Sequence, residues 1–171
     1  MVQKMMIDRA QRGDKSSFAF VIQQIQDESY RIANSCLLDE AASMDAVCDA
    51  VEEAVIHIQK LDNPERFNIW FNRIVIQKCK SHLLNSKLSV YIDDKEVKGL
   101  VKRQTTEENL ELQAFMKQQS PMTRLLIQLK YAEGYTIEEI TEMTEMPLNT
   151  IKTKIDNTTI KLFKQSRRGR M

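Results

Sequence analysis

Glycine and proline are scarce in this chain: four and three among 171 residues. That scarcity argues against a strand-rich fold with many tight turns and leaves room for long helices. No stretch approaches the roughly 18 apolar residues needed to cross a bilayer. Met1-Val2-Gln3-Lys4 leads into no apolar run of signal-peptide length, so a cytoplasmic location is expected. The cysteines Cys36, Cys48 and Cys79 are odd in number and far apart. They fit no zinc or redox spacing and are expected as buried reduced thiols. There is no glycine-rich phosphate loop. His57 and His82 stand without a nearby cysteine or a clear acidic partner in the sequence, so both are expected on the surface or in packing. Neither an enzyme nor a bound cofactor or metal is expected.

What is present is helical period and an uneven charge. The net charge is only +1. From Ile151 onward, however, seven basic residues face Asp156 alone. A basic end on a near-neutral chain points to a polyanion partner or to a solvated tail.

Asp14 precedes a run to Leu37 in which Phe18, Val21, Ile22, Ile25, Ser29, Ile32 and Cys36 recur at helical spacing. A second helix is expected over about Ser43 to Leu61. Met44, Val47, Cys48, Val51, Ala54, Val55 and Ile58 would form its apolar face, and Asp45, Asp49, Glu52 and Glu53 an acidic outer stripe. Asn63-Pro64 opens a third helix, with Asn as cap and Pro at the first helical position. That helix holds the only Trp, interleaves apolar residues with Arg66, Arg73, Lys78 and Lys80, and is expected to end near Asn85.

The pattern is lost from Ser86 to Gln104, which reads as a linker with a weak strand signal at Leu88–Ile92. Thr105-x-x-Glu108 reads as a capping box. A helix from about Thr106 to Gln118 follows, then a Ser120-Pro121 cap and a helix that stops at Gly134. The units are thus residues 1–86, a linker at 87–105, and residues 106–171.

The segment from Gly134 to Phe163 reads as a short helix opened by a Thr136-x-x-Glu139 box, a turn, and a longer helix. That is the helix-turn-helix plan, whose second helix enters the major groove. Its exposed side offers amides, hydroxyls and ammonium groups at Asn149, Thr150, Lys152, Thr153, Lys154 and Asn157, suited to base edges and phosphates. An ordinary helical hairpin in an all-α core fits the same plan.

The residues go further than the plan. Arg124, Lys130-Tyr131, Glu133-Gly134, Tyr135-Thr136-Ile137-Glu138-Glu139-Ile140 and Asn149-Thr150-Ile151-Lys152-Thr153-Lys154 stand in the order and spacing of a known pattern. This set resembles region 4 of the extracytoplasmic-function sigma factors, the smallest class of the sigma-70 family. Upstream, Arg9 to Asp14 followed by Phe18, Asp45 to Ala50, and Phe67 to Ile74 resemble region 2 of that family.

The resemblance implies an all-α fold of two small helical domains joined by a flexible linker. It implies docking on core RNA polymerase, at the β and β′ subunits, through Asp45, Val47, Cys48, Asp49 and Glu52. It implies recognition of the −10 element by Asn63, Phe67, Trp70, Phe71, Arg73, Gln77, Lys78, Lys80 and Ser81. Trp70 and Phe71 fit core packing as well as base stacking. It implies reading of −35 duplex by Arg124, Lys130, Thr136 and the polar face from Asn149 to Asn157. Promoter DNA and an anti-sigma factor are the further partners implied.

The chain departs from the pattern at several places. Cys48 stands for the usual Gln, and Val51 and Val55 for Phe and Trp. Gln77 and Ser81 stand for Asn and Asp, and Leu84 for a basic residue. Glu145 occupies a turn position usually small or Gly, and Asn157 and Thr159 replace arginines. Losing two phosphate contacts weakens DNA affinity and flattens its salt dependence. Three functions fit this residue set: a promoter-specific sigma factor, a DNA-binding regulator that never joins polymerase, and a sigma-like protein that does not open promoters.

Overall fold

The computed structural model describes residues 1–89 and 107–169. Among them every regular element is helical. Most of the expected linker and the Thr105 cap lie outside the described residues.

Helix α1 (Val2–Gln11) buries Ile7 and Ala10. Its Gln11 Nε2 donates to the carbonyls of Ile58 at 3.0 Å and Leu61 at 2.7 Å, tying the start of the chain to a later turn. Helix α2 (Lys15–Leu37) begins where the Asp14 carboxylate accepts from Ser16 N and Ser17 N. These bonds satisfy amides that the first turn leaves orphaned. The Ser17 hydroxyl, which donates to Asp14 Oδ2 at 2.9 Å, and then these amides hold the Asp14 carboxyl below its ordinary pKa. The expected face of α2, from Phe18 to Cys36, is buried.

Helix α3 (Glu40–His57) overturns the expected phase. Its buried residues are Ser43, Ala46, Ala50 and Ala54, whereas Met44, Cys48 and Val55 are exposed. Small side chains at i, i+3, i+7 and i+11 let α3 approach α2 and α4 closely, so the larger residues turn outward. The stripe of small residues was the available signal, and bulk was the wrong guide. The thiol of Cys48 is therefore exposed, while those of Cys36 and Cys79 are buried.

A 3-10 turn at Pro64–Arg66, capped by Asn63, leads into α4 (Phe67–Ser89). The helix runs past Asn85, so Leu88 and Ser89 are helical rather than extended. Phe67 and Phe71 are fully buried, with rings stacked at 5.8 Å and 9°.

The second half holds α5 (Glu107–Lys117), α6 (Pro121–Ile127), α7 (Ile137–Thr144) and α8 (Leu148–Arg168). Between α6 and α7 the chain makes a π-helical turn at Gln128–Ala132 and reverses at Gly134, where φ is +77°. A left-handed φ of that size favours glycine. The two halves pack together: α6 lies on α2 and α7 lies on α4. One continuous core joins Ile25, Ile32 and Phe71 to Leu126, Leu129, Ile140 and Ile151.

Candidate nucleic-acid and polymerase interface

Thr136 and Glu139 form the expected reciprocal cap of α7. Thr136 N donates to Glu139 Oε2 at 2.9 Å, and Glu139 N donates to Thr136 Oγ1 at 3.2 Å. The hydroxyl of Thr136 thus acts first on the backbone. Thr136→Ala is expected to lower unfolding stability by about 1 kcal/mol. Urea titration reads this, and an unchanged midpoint would mean the cap is redundant.

After α7 the chain turns at Glu145, in the left-handed conformation at φ +61° and ψ +20°. Helix α8 then buries Ile151, Ile155 and Thr158. The opposite side leaves Asn149, Thr150, Lys152, Thr153 and Asn157 exposed, with Lys154 half-buried. Amides, hydroxyls and ammonium groups therefore stand together on an open helix face near its N-terminal end. That is the surface a groove-reading helix presents. Lys130 lies in the π-helical turn, half-buried.

Arg124 is placed differently from that open set. It is only 7% exposed. Its Nε donates to Ser35 O and its Nη2 to Cys36 O, both at 2.8 Å, and its Nη1 donates to Gln119 O at 2.6 Å. The guanidinium thus closes the C-terminal end of α2, where orphan carbonyls and the helix dipole favour a cation. Burial pulls the Arg124 pKa below its ordinary value, so these acceptors offset a real desolvation cost.

A second connection between the halves is a part-buried polar ring. Ser29 Oγ donates to Asn72 Oδ1 at 2.7 Å. Asn72 Nδ2 donates to Glu28 Oε1 at 2.8 Å and to Tyr135 Oη at 3.2 Å, and Tyr135 Oη donates to Glu28. Burial, and then the Glu28 carboxylate, push the Tyr135 phenol well above its ordinary pKa. Beside it, Arg31 forms a two-pronged pair with Glu133, each N···O 3.0 Å.

From the Pro64–Arg66 turn into α4, Arg66, Trp70, Arg73, Gln77 and Lys80 follow one another at helical spacing. A cleft of about 270 Å³ lies beside it, lined by Lys60, Asp62, Asn63, Arg66, Trp70, Arg73 and Glu142. Phe67 and Phe71 face the core instead, and Trp70 is half-buried. Lys78 pairs with Glu53 at 2.5 Å, and Ser81 Oγ donates to Gln77 O at 3.1 Å. Arg73 pairs with Glu145, Arg66 with Glu142, and Lys80 Nζ donates to Thr144 O at 2.7 Å.

Helix α3 presents Asp45, Cys48, Asp49 and Glu52 outward, with Val47 half-buried against the core. Exposed Met44, Val55 and Ile56 flank them. His82 lies 3.4 Å from Asp49, a partner that the sequence did not reveal.

Comparison with known proteins agrees with this layout. The chain is 26% identical to the ECF RNA polymerase sigma factor SigW of Bacillus subtilis, over 98% of each chain. In sequence and in fold, the chain is similar to extracytoplasmic-function sigma factors. SigV of the same organism is 24% identical over 76% of this chain and 79% of its own. The sigma-E factor of Escherichia coli is 23% identical over 91% of this chain and 89% of its own. Among solved structures, CnrH in complex with the cytosolic domain of CnrY has a TM-score of 0.69, with 17% identity, covering 98% of this chain and 99% of that one. The sigma factor RpoE of Bartonella quintana, in complex with the anti-sigma factor NepR, has a TM-score of 0.74, with 18% identity, covering 88% of this chain and 96% of that one. No protein-family model matches the chain.

Sequence reading missed the residues that join the halves. Glu28, Arg31 and Glu142 carried no local signal, Asn72 and Glu133 showed only inside the family motifs with no joining role, and Glu145 showed only as an odd residue in a turn. Among the described residues, no helix is long and apolar enough to cross a membrane.

Proposed function

We propose that this protein is an alternative sigma factor that joins core RNA polymerase and directs it to specific promoters, under the control of an anti-sigma factor. The observation that carries this is the coexistence, in one sigma-like fold, of an open polar recognition face on α8 and an acidic, partly apolar face on α3. A DNA-binding regulator has use for the first face only.

In this reading residues 1–86 dock on polymerase and engage the −10 element, and residues 106–171 read the −35 element. Asp45, Cys48, Asp49 and Glu52 meet a basic surface of the β′ subunit, where complementary charge sets orientation and on-rate. Asn149, Thr150, Lys152 and Thr153 enter the major groove. The work takes place in the cytoplasm, and the bond-making chemistry belongs to the polymerase.

Transcription reconstituted with core enzyme tests this. The complex is expected to start at discrete promoters of the source genome that core alone ignores, with permanganate-reactive thymines near the start site. Reversing charge in Asp49→Lys with Glu52→Lys is expected to weaken core binding by about tenfold or more. If no genomic promoter responds, the reading is wrong. A bound complex without an open bubble would favour a sigma-like protein that does not melt DNA.

A further inference from the structure

The C-terminal end of α7 carries acidic residues where local structure does not favour them. Anions stabilise helix N-termini and are unfavourable near the C-terminus, yet Glu142 and Glu145 stand in and just after the last turn. Glu145 also adopts a left-handed backbone, at φ +61°, that suits glycine. A residue unfavourable on two local counts points to a requirement elsewhere.

That requirement lies on α4 and the turn that leads into it. Arg66, Arg73 and Lys80 are spaced by seven residues, about 10 Å per step along one face. Each meets one acceptor from the end of α7: the Glu142 carboxylate, the Glu145 carboxylate and the Thr144 carbonyl respectively. We propose that Glu142 and Glu145 stand in for DNA phosphates, neutralising Arg66 and Arg73 and covering the −10 face of α4 until a nucleic-acid strand displaces them. This rests on the sigma-factor reading, which assigns that face to DNA.

The strength of the pairs suits an exchangeable cover. All four side chains are 45–54% exposed. Ion pairs this exposed add little stability and weaken with salt. The halves are held instead by Arg124, the Glu28–Asn72–Tyr135 ring and the shared apolar core. The two carboxylates contribute charge neutralisation, which a polyanion replaces in kind. The recognition face of α8 stays open throughout. The closed protein therefore offers its −35 surface while withholding its −10 surface.

The test uses the full chain and a labelled single-stranded DNA of mixed sequence, read by anisotropy at fixed salt. Glu142→Gln with Glu145→Gly is expected to bind about tenfold tighter than wild type, since a covered site lowers apparent affinity in proportion to its closed population. This variant keeps its fold, because glycine suits the left-handed position. The control Glu138→Gln with Asp156→Asn removes the same charge from exposed residues of the same half and is expected to change affinity less than about twofold. Adding Arg66→Ala and Arg73→Ala to the first variant should abolish the gain.

An equal gain in the control would overturn the proposal, as would no gain in the first variant. If polymerase-dependent transcription still falls on Arg66→Ala with Arg73→Ala, only the cover is refuted and the DNA face stands. If that variant transcribes normally, the DNA-face reading fails and the cover fails with it.

Discussion

Phe71→Ala is expected to lower stability by about 4 kcal/mol, the usual cost of truncating a large buried aromatic. In a chain of this size that corresponds to a drop in melting temperature of roughly 8–16 °C. The side chain is fully buried and stacks on Phe67, so its removal leaves a cavity in the first half. Thermal melting followed by circular dichroism reads the loss. Phe71→Leu, which keeps much of the volume, should lose far less. A base-stacking residue would behave in the opposite way: the alanine variant would melt like wild type and fail only with DNA. That result would overturn the packing assignment.

The second large effect is expected at Arg124. Arg124→Ala removes a cation from the end of α2 and leaves the carbonyls of Ser35, Cys36 and Gln119 without its three bonds. Losing hydrogen bonds to a buried charge costs about 3 kcal/mol. Arg124→Lys should recover only part of this, because one ammonium group cannot reproduce the forked geometry. Denaturant titration, with amide exchange at the end of α2, measures both. An alanine variant as stable as wild type would show that the carbonyls find other partners. The same residue cannot contact a phosphate and hold these carbonyls together, so any DNA contact by Arg124 requires the halves to part.

Local pattern made much of the fold legible. The buried face of α2 follows its sequence period, and the Thr136 cap forms with both of its bonds. The exposed polar face of α8 was readable because its polar and apolar residues segregate at helical spacing. The phase of α3 was not, because close approach between helices selected alanine where hydrophobicity favoured Met44 and Val55. The closure of the two halves was less legible still. Its polar contacts join residues up to 107 positions apart, as in the Tyr135–Glu28 bond, and no local period encodes such a pair. Glu145 was the partial exception: the sequence marked it as out of place, and the structure supplies its partner in Arg73.

The π-helical turn at Gln128–Ala132 fixes one more property of the molecule. Glu133 N donates to Gln128 O and Tyr135 N to Leu129 O, so this turn takes up more chain than an α-helical one. Each residue of helix carries about 100° of rotation, so the wider turn acts as an angular offset between α6 and everything after it. Glu133 and Tyr135 come round to Arg31 and Glu28 on that setting. The bearing of α8 relative to α4 is thus set by winding, through a count of residues in one turn.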